Sequence, residues 1–354
     1  MKLWIKHALH ITAFLLVLAA AVFLAGHYLM PHSNRYLSGY TAGGLLGEDF
    51  DTVDVLVMGD SNAAQGIAPM QWYTENGVTG YTYASGWLSV YNIYYRLRSI
   101  YEEQTPKVVV LCTDVCYSKF SDETYLQAAI GDITDELIPL VRFHDNWKDL
   151  TPANLFEEHD YTWRDPNKGY MPITDVAACL RGEYMYYDGR TEPLPFLVGV
   201  YMERIADLCA EHGSELLLIT VPASSSWNLT RHDGVQAFAD AHGLPYIDYN
   251  MAENDPGIDW LFDTPDGGSH LNVLGSEKLT AALGAYLVEN YDLPDHRGEP
   301  GFEAWDADAA SYAATMDTAR AAAAQNAGVP RAARGERGPP PEKKRKKAPR
   351  GGRT

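Results

Sequence analysis

Cysteine is scarce: Cys112, Cys116, Cys179 and Cys209 are the only four in 354 residues. Their spacing matches no zinc pattern, and they are too few for the disulfide framework of a stapled miniprotein. Cys112 and Cys209 lie in apolar or helical settings and read as small core residues. Positive charge is thin too. Ten of the 28 Lys and Arg lie from Arg331 to Thr354, beside only Glu336 and Glu342, leaving 18 basic against 45 acidic residues in 1–330, a formal −27. So acidic a body argues against a broad nucleic-acid-binding face, and only the basic tail is suited to a polyanion. Also missing are the dinucleotide glycine spacing and the Lys-Ser/Thr end of a phosphate loop, so GDSNAAQG at 59–66 does not read as a nucleotide site.

What is present suits a large folded body: 46% apolar residues, 41 aromatics, 30 Gly and 20 Pro. Ala8 to Leu24 is apolar apart from His10 and Thr12, follows Lys2 and Lys6, and has no acid before Glu48. With Gly26, His27 and Tyr28 it is long enough to cross a bilayer. It reads as an uncleaved anchor over 8–30, with 1–7 cytoplasmic, the body outside and membrane lipid as its partner. A cleaved signal peptide is the competing reading, since Ala19, Ala20, Ala21 and Ala25 supply small residues. Residues 31–50 read as a polar linker. The far end, 328–354, has Pro339 to Pro341, the run Lys343 to Lys347 and no apolar periodicity, which predicts a disordered basic tail.

Between these ends the pattern is that of a three-layer α/β/α domain over 51–293 with a parallel sheet in flavodoxin-like order. Strands are expected at Val53 to Met58, Gly80 to Ala84, Lys107 to Thr113, Glu215 to Val221 and Tyr246 to Asp248. Near-continuous apolarity in KVVVLCT and ELLLITV implies burial on both faces. Helices are expected at Pro69 to Asn76, Ser89 to Glu103, Leu197 to His212, Gly234 to His242 and Leu274 to Asn290. The rhythm fails across 117–195, an aromatic-rich insertion that suits either a lid or carbohydrate-contacting wall, or a satellite core. Residues 294–327 read as a helical packing appendage with Trp305, Tyr312 and Met316 inward. His232 and His242 read as surface histidines, and Trp227 and Trp260 as loop packing.

Gly59, Asp60 and Ser61 stand just past the first strand, where a turn into a helix exposes a serine hydroxyl and aims backbone N–H groups at a developing oxyanion. At the other end of the domain, DWLFDTPDGGSHLNVLG at 259–275 puts His270 in a Gly-rich loop before the last helix, with Asp266 four residues earlier. Nucleophile, base and orienting acid can then meet at one sheet edge, as acyl transfer requires.

These features resemble the SGNH or GDSL hydrolase-like superfamily, and within it the membrane-anchored bacterial branch related to DltD and AlgJ-like cell-surface acyl-transfer proteins. The resemblance covers roughly residues 50–300 and is carried by the N-terminal span, GDSN at 59–62, GIAP at 66–69, the KVVVL strand and DGGSHLN at 266–272 followed by Gly275. It implies a nucleophile at Ser61, a base at His270 and an acid at Asp266. The superfamily places its aspartate three residues before the histidine, where this chain has Gly267, so Asp263 stands as an alternative acid. For the oxyanion or substrate contacts the resemblance points to Gly86, Asn62 and the third strand end, where Thr113 and Asp114 replace an expected Gly-x-Asn-Asp. An ionised Asp114 there would repel an oxyanion.

The reaction expected is attack of Ser61 on an ester carbonyl, followed by transfer of the acyl group to water or a sugar hydroxyl. Acylated or acetylated cell-surface glycan is the expected substrate, with a membrane acyl-transfer protein as a further partner and no cofactor, metal or nucleic acid. Two alternatives stand beside it. A metal hydrolase would draw on Asp60, Asp114, Asp263, Asp266 and His270. A catalytically degenerate glycan-binding or assembly protein would keep the fold without turnover.

Overall fold

The structure, a computed structural model, describes residues 2–36, 43–86, 88–117, 147, 148, 151, 157–187, 189, 190 and 192–327. The basic tail and most of the expected insertion between 118 and 156, His144 included, lie outside the described residues.

Five parallel strands form one sheet in the order β2-β1-β3-β4-β5: β1 (Val55–Gly59), β2 (Gly80–Ala84), β3 (Val108–Cys112), β4 (Glu215–Thr220) and β5 (Tyr246–Asp248). Successive side chains on a strand alternate between faces, and the two cores divide accordingly. Leu56, Met58, Val109, Leu111, Leu216 and Leu218 enter one core, with α4 (Val90–Ile100) and α5 (Phe196–His212) packed over them. Val55, Val57, Val108, Val110, Leu217 and Ile219 enter the other, beneath α2 (Ser61–Gly66), Trp72 of α3 (Pro69–Asn76) and α7 (Val273–Asn290). The sheet is therefore the middle of three layers, and its unbroken apolar strands follow from burial on both sides. Helix α6 (Leu229–His242) begins five residues earlier than the apolar pattern suggests, because the Asn228 side chain caps it by accepting from Arg231 N at 3.0 Å.

Helix α1 (Lys2–Leu29) is long and apolar enough to span a membrane over Trp4–Leu29, and its spanning window is unburied. The segment behind it differs from a free linker. Asn34 Nδ2 donates to Gly43 O and Trp163 O, Leu45 is buried, and Glu48 is buried against Lys168. Lys168 Nζ donates to both oxygens of Glu48 at 2.8 and 2.9 Å and to Asp308 at 2.7 Å, over the Trp305 ring. A lysine with no exposed side chain needs such partners, and here they come from two parts of the chain distant from it and from each other. Asp308 and Trp305 belong to α8 (Glu303–Ala327), whose Trp305, Tyr312 and Met316 are buried.

Candidate active site

The site lies beyond the C-terminal ends of β1, β3 and β4, the edge where open parallel sheets leave a crevice for ligands. Gly59 ends β1 because nothing larger fits: a Cβ there would lie 2.7 Å from Ala63 Cβ and 2.8 Å from Cys112 Cβ. Asp60 then caps α2, its carboxylate accepting from Asn62 N at 2.9 Å, and Ser61 becomes the first helical residue. Helices α2 and α3 are fixed against α7 by Ala68 N and Trp72 Nε1, which donate to Thr280 Oγ1 and Thr280 O at 3.0 and 2.8 Å. That packing brings Ser61 to the loop that opens α7.

The loop is shaped by two glycines of positive φ, Gly267 at 83° and Gly268 at 102°. This left-handed region suits glycine, and a Cβ at 268 would collide with Ser224 Oγ and Cys179 Sγ. The extra bend carries Asp266 back to His270 despite the four-residue spacing. Asp266 Oδ1 accepts from Ser269 N at 3.0 Å and His270 N at 3.1 Å, while Asp266 Oδ2 meets His270 Nδ1 at 2.6 Å. His270 Nε2 stands 2.9 Å from Ser61 Oγ. With Nδ1 donating to the carboxylate, Nε2 is left as the acceptor for the serine hydroxyl. Burial pushes the Asp266 carboxyl up, but the hydrogen bond and charge of His270 and the two backbone N–H groups outweigh it. The carboxyl therefore lies below its ordinary value and stays ionised.

Asp263 is placed elsewhere. Its buried carboxylate accepts from Asp259 N at 2.7 Å and pairs with Lys278 at 2.5 Å, so it braces the start of α7 rather than the imidazole. Thr113 is also removed from the chemistry, because β3 turns its hydroxyl inward to Thr220 Oγ1 at 2.6 Å. Gly86 is exposed beyond β2 and does not line the cavity beside Ser61. Asn62 and Asp114 do line it, and Asn62 Nδ2 donates to Asp114 Oδ1 at 3.2 Å. Among the described residues no His, Cys, Asp and Glu group of three or more is arranged to hold a metal ion.

That cavity measures about 320 Å³ and is closed by residues the sequence reading did not assign to the site: Tyr117, Ser226, Trp227, Arg231 and Ser269. Arg231 is held by Glu192 at 3.2 and 3.3 Å and by Ser226 O at 2.6 Å, and it lies over the Tyr117 ring. The available signal was positional, since Ser224 to Arg231 follow β4 at the same sheet edge. His232, read as a surface residue, is instead half-buried, with Nδ1 2.9 Å from Asp248 Oδ2. Trp227 Nε1 donates to the same oxygen at 2.8 Å. Of the insertion's described rings, Tyr117 lines this cavity, Tyr170 is buried, Tyr184 is half-buried with its hydroxyl donating to Asn250 Oδ1, and Tyr186 and Tyr187 are exposed.

No protein-family model and no curated protein matches the chain. Its structural neighbours include a GDSL-like lipase from Bacteroides thetaiotaomicron, at 12% identity over 67% of this chain and 88% of that one, with a TM-score of 0.35. A lipase/acylhydrolase from Enterococcus faecalis is similar at 14% identity over 68% of this chain and 99% of that one, again with a TM-score of 0.35. Those scores add nothing to the assignment of Ser61, His270 and Asp266, which rests on the hydrogen bonds that join them.

Proposed function

We propose that the chain is a serine-dependent ester hydrolase or O-acyltransferase whose body works outside the membrane that holds α1, on acylated or acetylated cell-surface glycan. One observation carries the chemistry: the unbroken relay from Ser61 Oγ to His270 Nε2 at 2.9 Å and from His270 Nδ1 to Asp266 Oδ2 at 2.6 Å. His270 takes the hydroxyl proton as Ser61 Oγ bonds to the ester carbon, then returns it to the departing alkoxide oxygen as the C–O bond breaks. Asp266 keeps the imidazole in the required tautomer and balances its transient charge. Water or a sugar hydroxyl, deprotonated by the same imidazole, then takes the acyl group from Ser61. The Ser61 backbone N–H and the Asn62 carboxamide are the groups proposed to face the oxyanion.

A polar cavity of about 320 Å³ suits a short acyl group. A second cavity of about 380 Å³, lined by Tyr184, Trp260, Tyr249, Asn250, Glu183 and Asp255, offers the mixture of ring faces and polar groups that sugars use. The apolar, unburied Trp4–Leu29 helix supports the anchored topology, and a membrane acyl donor protein is the partner that a transferase would need.

The test is reaction of the protein with a fluorophosphonate probe and with p-nitrophenyl acetate, beside Ser61→Ala and His270→Ala. Labelling and acetate release that vanish in both variants are expected. A folded wild-type protein that neither labels nor turns over would replace this reading with that of a degenerate binding domain.

A further inference from the structure

Two carboxyl groups border the nucleophile, and the relay uses neither. Asp60 and Asp114 line the same cavity as Ser61 and His270, and among the described residues neither takes part in an ion pair. The nearest cation in the cavity wall, Arg231, is already held by Glu192 and Ser226 O. Asp60 is committed to capping α2. Asp114 accepts from Asn62 Nδ2 at 3.2 Å through one oxygen and from Val221 N at 3.4 Å through the other. Both bonds are long for an ionised acceptor, and such neutral donors are a poor counterweight for a charge in the wall of a half-enclosed cavity just past β3.

Attack on an ester adds a further negative charge beside this pair. With Asp60 and Asp114 both ionised, the oxyanion would form beside two further anions, and the one cation that the step creates, the His270 imidazolium, is already paired with Asp266. That arrangement would raise the barrier that an oxyanion site exists to lower. We propose that Asp114 works as an uncharged carboxylic acid whose O–H donates to the oxyanion, in place of the carboxamide that the site otherwise lacks at the end of β3. The proposal rests on Ser61 acting as the nucleophile.

Burial holds the Asp114 carboxyl well above its ordinary value and Asp60 raises it further, with Asp248 adding to the effect, while the Val221 and Asp114 backbone N–H groups only partly offset this. The Asp60 carboxyl is itself raised by burial but is lowered by its Asn62 N–H bond and by His270, contacts that Asp114 lacks. Cys112 and Cys116, on β3 and just after it, are likewise pushed up by burial and so stay neutral. The Tyr246 hydroxyl of β5 is raised by burial and by Asp248, and stays protonated. Tyr117, His270 and Arg231 complete the wall, and only Arg231 carries a permanent charge. No proton is consumed: the acid donates a hydrogen bond as the oxyanion forms and keeps its proton when the carbonyl returns.

The pH dependence separates this role from a structural one. The wild type is expected to turn over p-nitrophenyl acetate near neutral pH. It then loses kcat on an alkaline limb as Asp114 ionises and turns from donor to repelling charge. Asp114→Asn keeps a donor of the same shape at all pH values, so its alkaline limb should disappear while its kcat near pH 6 exceeds that of Asp114→Ala by at least about tenfold. Asp114→Ala should lower kcat by about a hundredfold, the usual effect of deleting one oxyanion donor. Thermal unfolding of each variant confirms that it is folded. An alkaline limb unchanged in Asp114→Asn, or Asp114→Ala turnover within twofold of wild type, overturns the proposal. Fluorophosphonate labelling of wild-type Ser61 in the same experiment tells this failure from failure of the serine-enzyme reading, which would take the proposal with it.

Discussion

Two histidine–aspartate pairs stand at the same end of the sheet, built from the same atoms and doing different work. In each, Nδ1 meets an aspartate Oδ2, at 2.6 Å for His270–Asp266 and 2.9 Å for His232–Asp248. The first is on a loop, its aspartate 38% exposed, and its free Nε2 points at a serine hydroxyl. The second joins α6 to β5, its aspartate has no exposed side chain, and that carboxylate also receives Trp227 Nε1, Asn250 N and Asn250 Nδ2. A histidine–aspartate pair is therefore no active site by itself. A serine hydroxyl on the second nitrogen and access from the cavity make the first pair a candidate site, whereas a carboxylate shared among five donors, the Tyr246 hydroxyl the fifth, makes a brace.

Alanine at each histidine breaks the comparison most directly. His270→Ala should reduce p-nitrophenyl acetate kcat by about a thousandfold or more, with the unfolding midpoint nearly unchanged. His232→Ala should leave kcat within about threefold but remove about 1–3 kcal/mol of stability, since a buried acceptor loses its partner. Chemical denaturation and steady-state rates on the two variants read both quantities. A large kcat loss in a stable His232→Ala protein would put this second pair into the reaction.

The aspartates sharpen the contrast within the loop of the candidate site. Asp266→Asn removes the acceptor that fixes the imidazole tautomer, and kcat should fall by about a hundredfold or more. Asp263→Asn weakens the Lys278 pair at the start of α7 and should cost about 1–2 kcal/mol with kcat within about threefold. If Asp263→Asn lost the greater share of kcat, the roles drawn from the hydrogen bonds would be reversed.

The same contrast explains what was legible in the sequence. Strand β3 and strand β4 could be read because burial on both faces demands an apolar run, and GDS could be placed because it follows such a run. Ser61 and His270 were accessible for that reason. The choice between Asp266 and Asp263 was not, because it depends on how Gly267 and Gly268 bend the loop, a property of φ angles rather than spacing. His232 and Asp248 are 16 residues apart and carry no motif. Their meeting depends on Asn228 starting α6 early and on β5 lying next to β4. The buried lysine clasp was hidden in the same way: Glu48, Lys168 and Asp308 each look like ordinary surface residues until three remote segments fold together.

The smallest expected effect is also the one that separates the pairs by sign. Burial lowers the His232 pKa, but the Asp248 hydrogen bond and charge, with Asp233 and Glu253, more than restore it, so the folded value lies above the ordinary 6.5. Stability from that pair is fully present below the unfolded value and is lost as pH rises through the folded one. Asp266 shifts the other way: its folded value is below 3.8, so its contribution is present above that pH and is lost as pH falls. The exposure of Asp266 screens its effect, which makes it the weaker of the two. Unfolding midpoints should therefore decline on the alkaline side of about pH 6.5 in the wild type and flatten there in His232→Asn. Asp266→Asn should leave that decline intact and reduce only the loss in acid. Parallel profiles for wild type and His232→Asn above pH 6.5 would mean that the buried brace is not linked to protonation, and the two pairs would then differ in geometry alone.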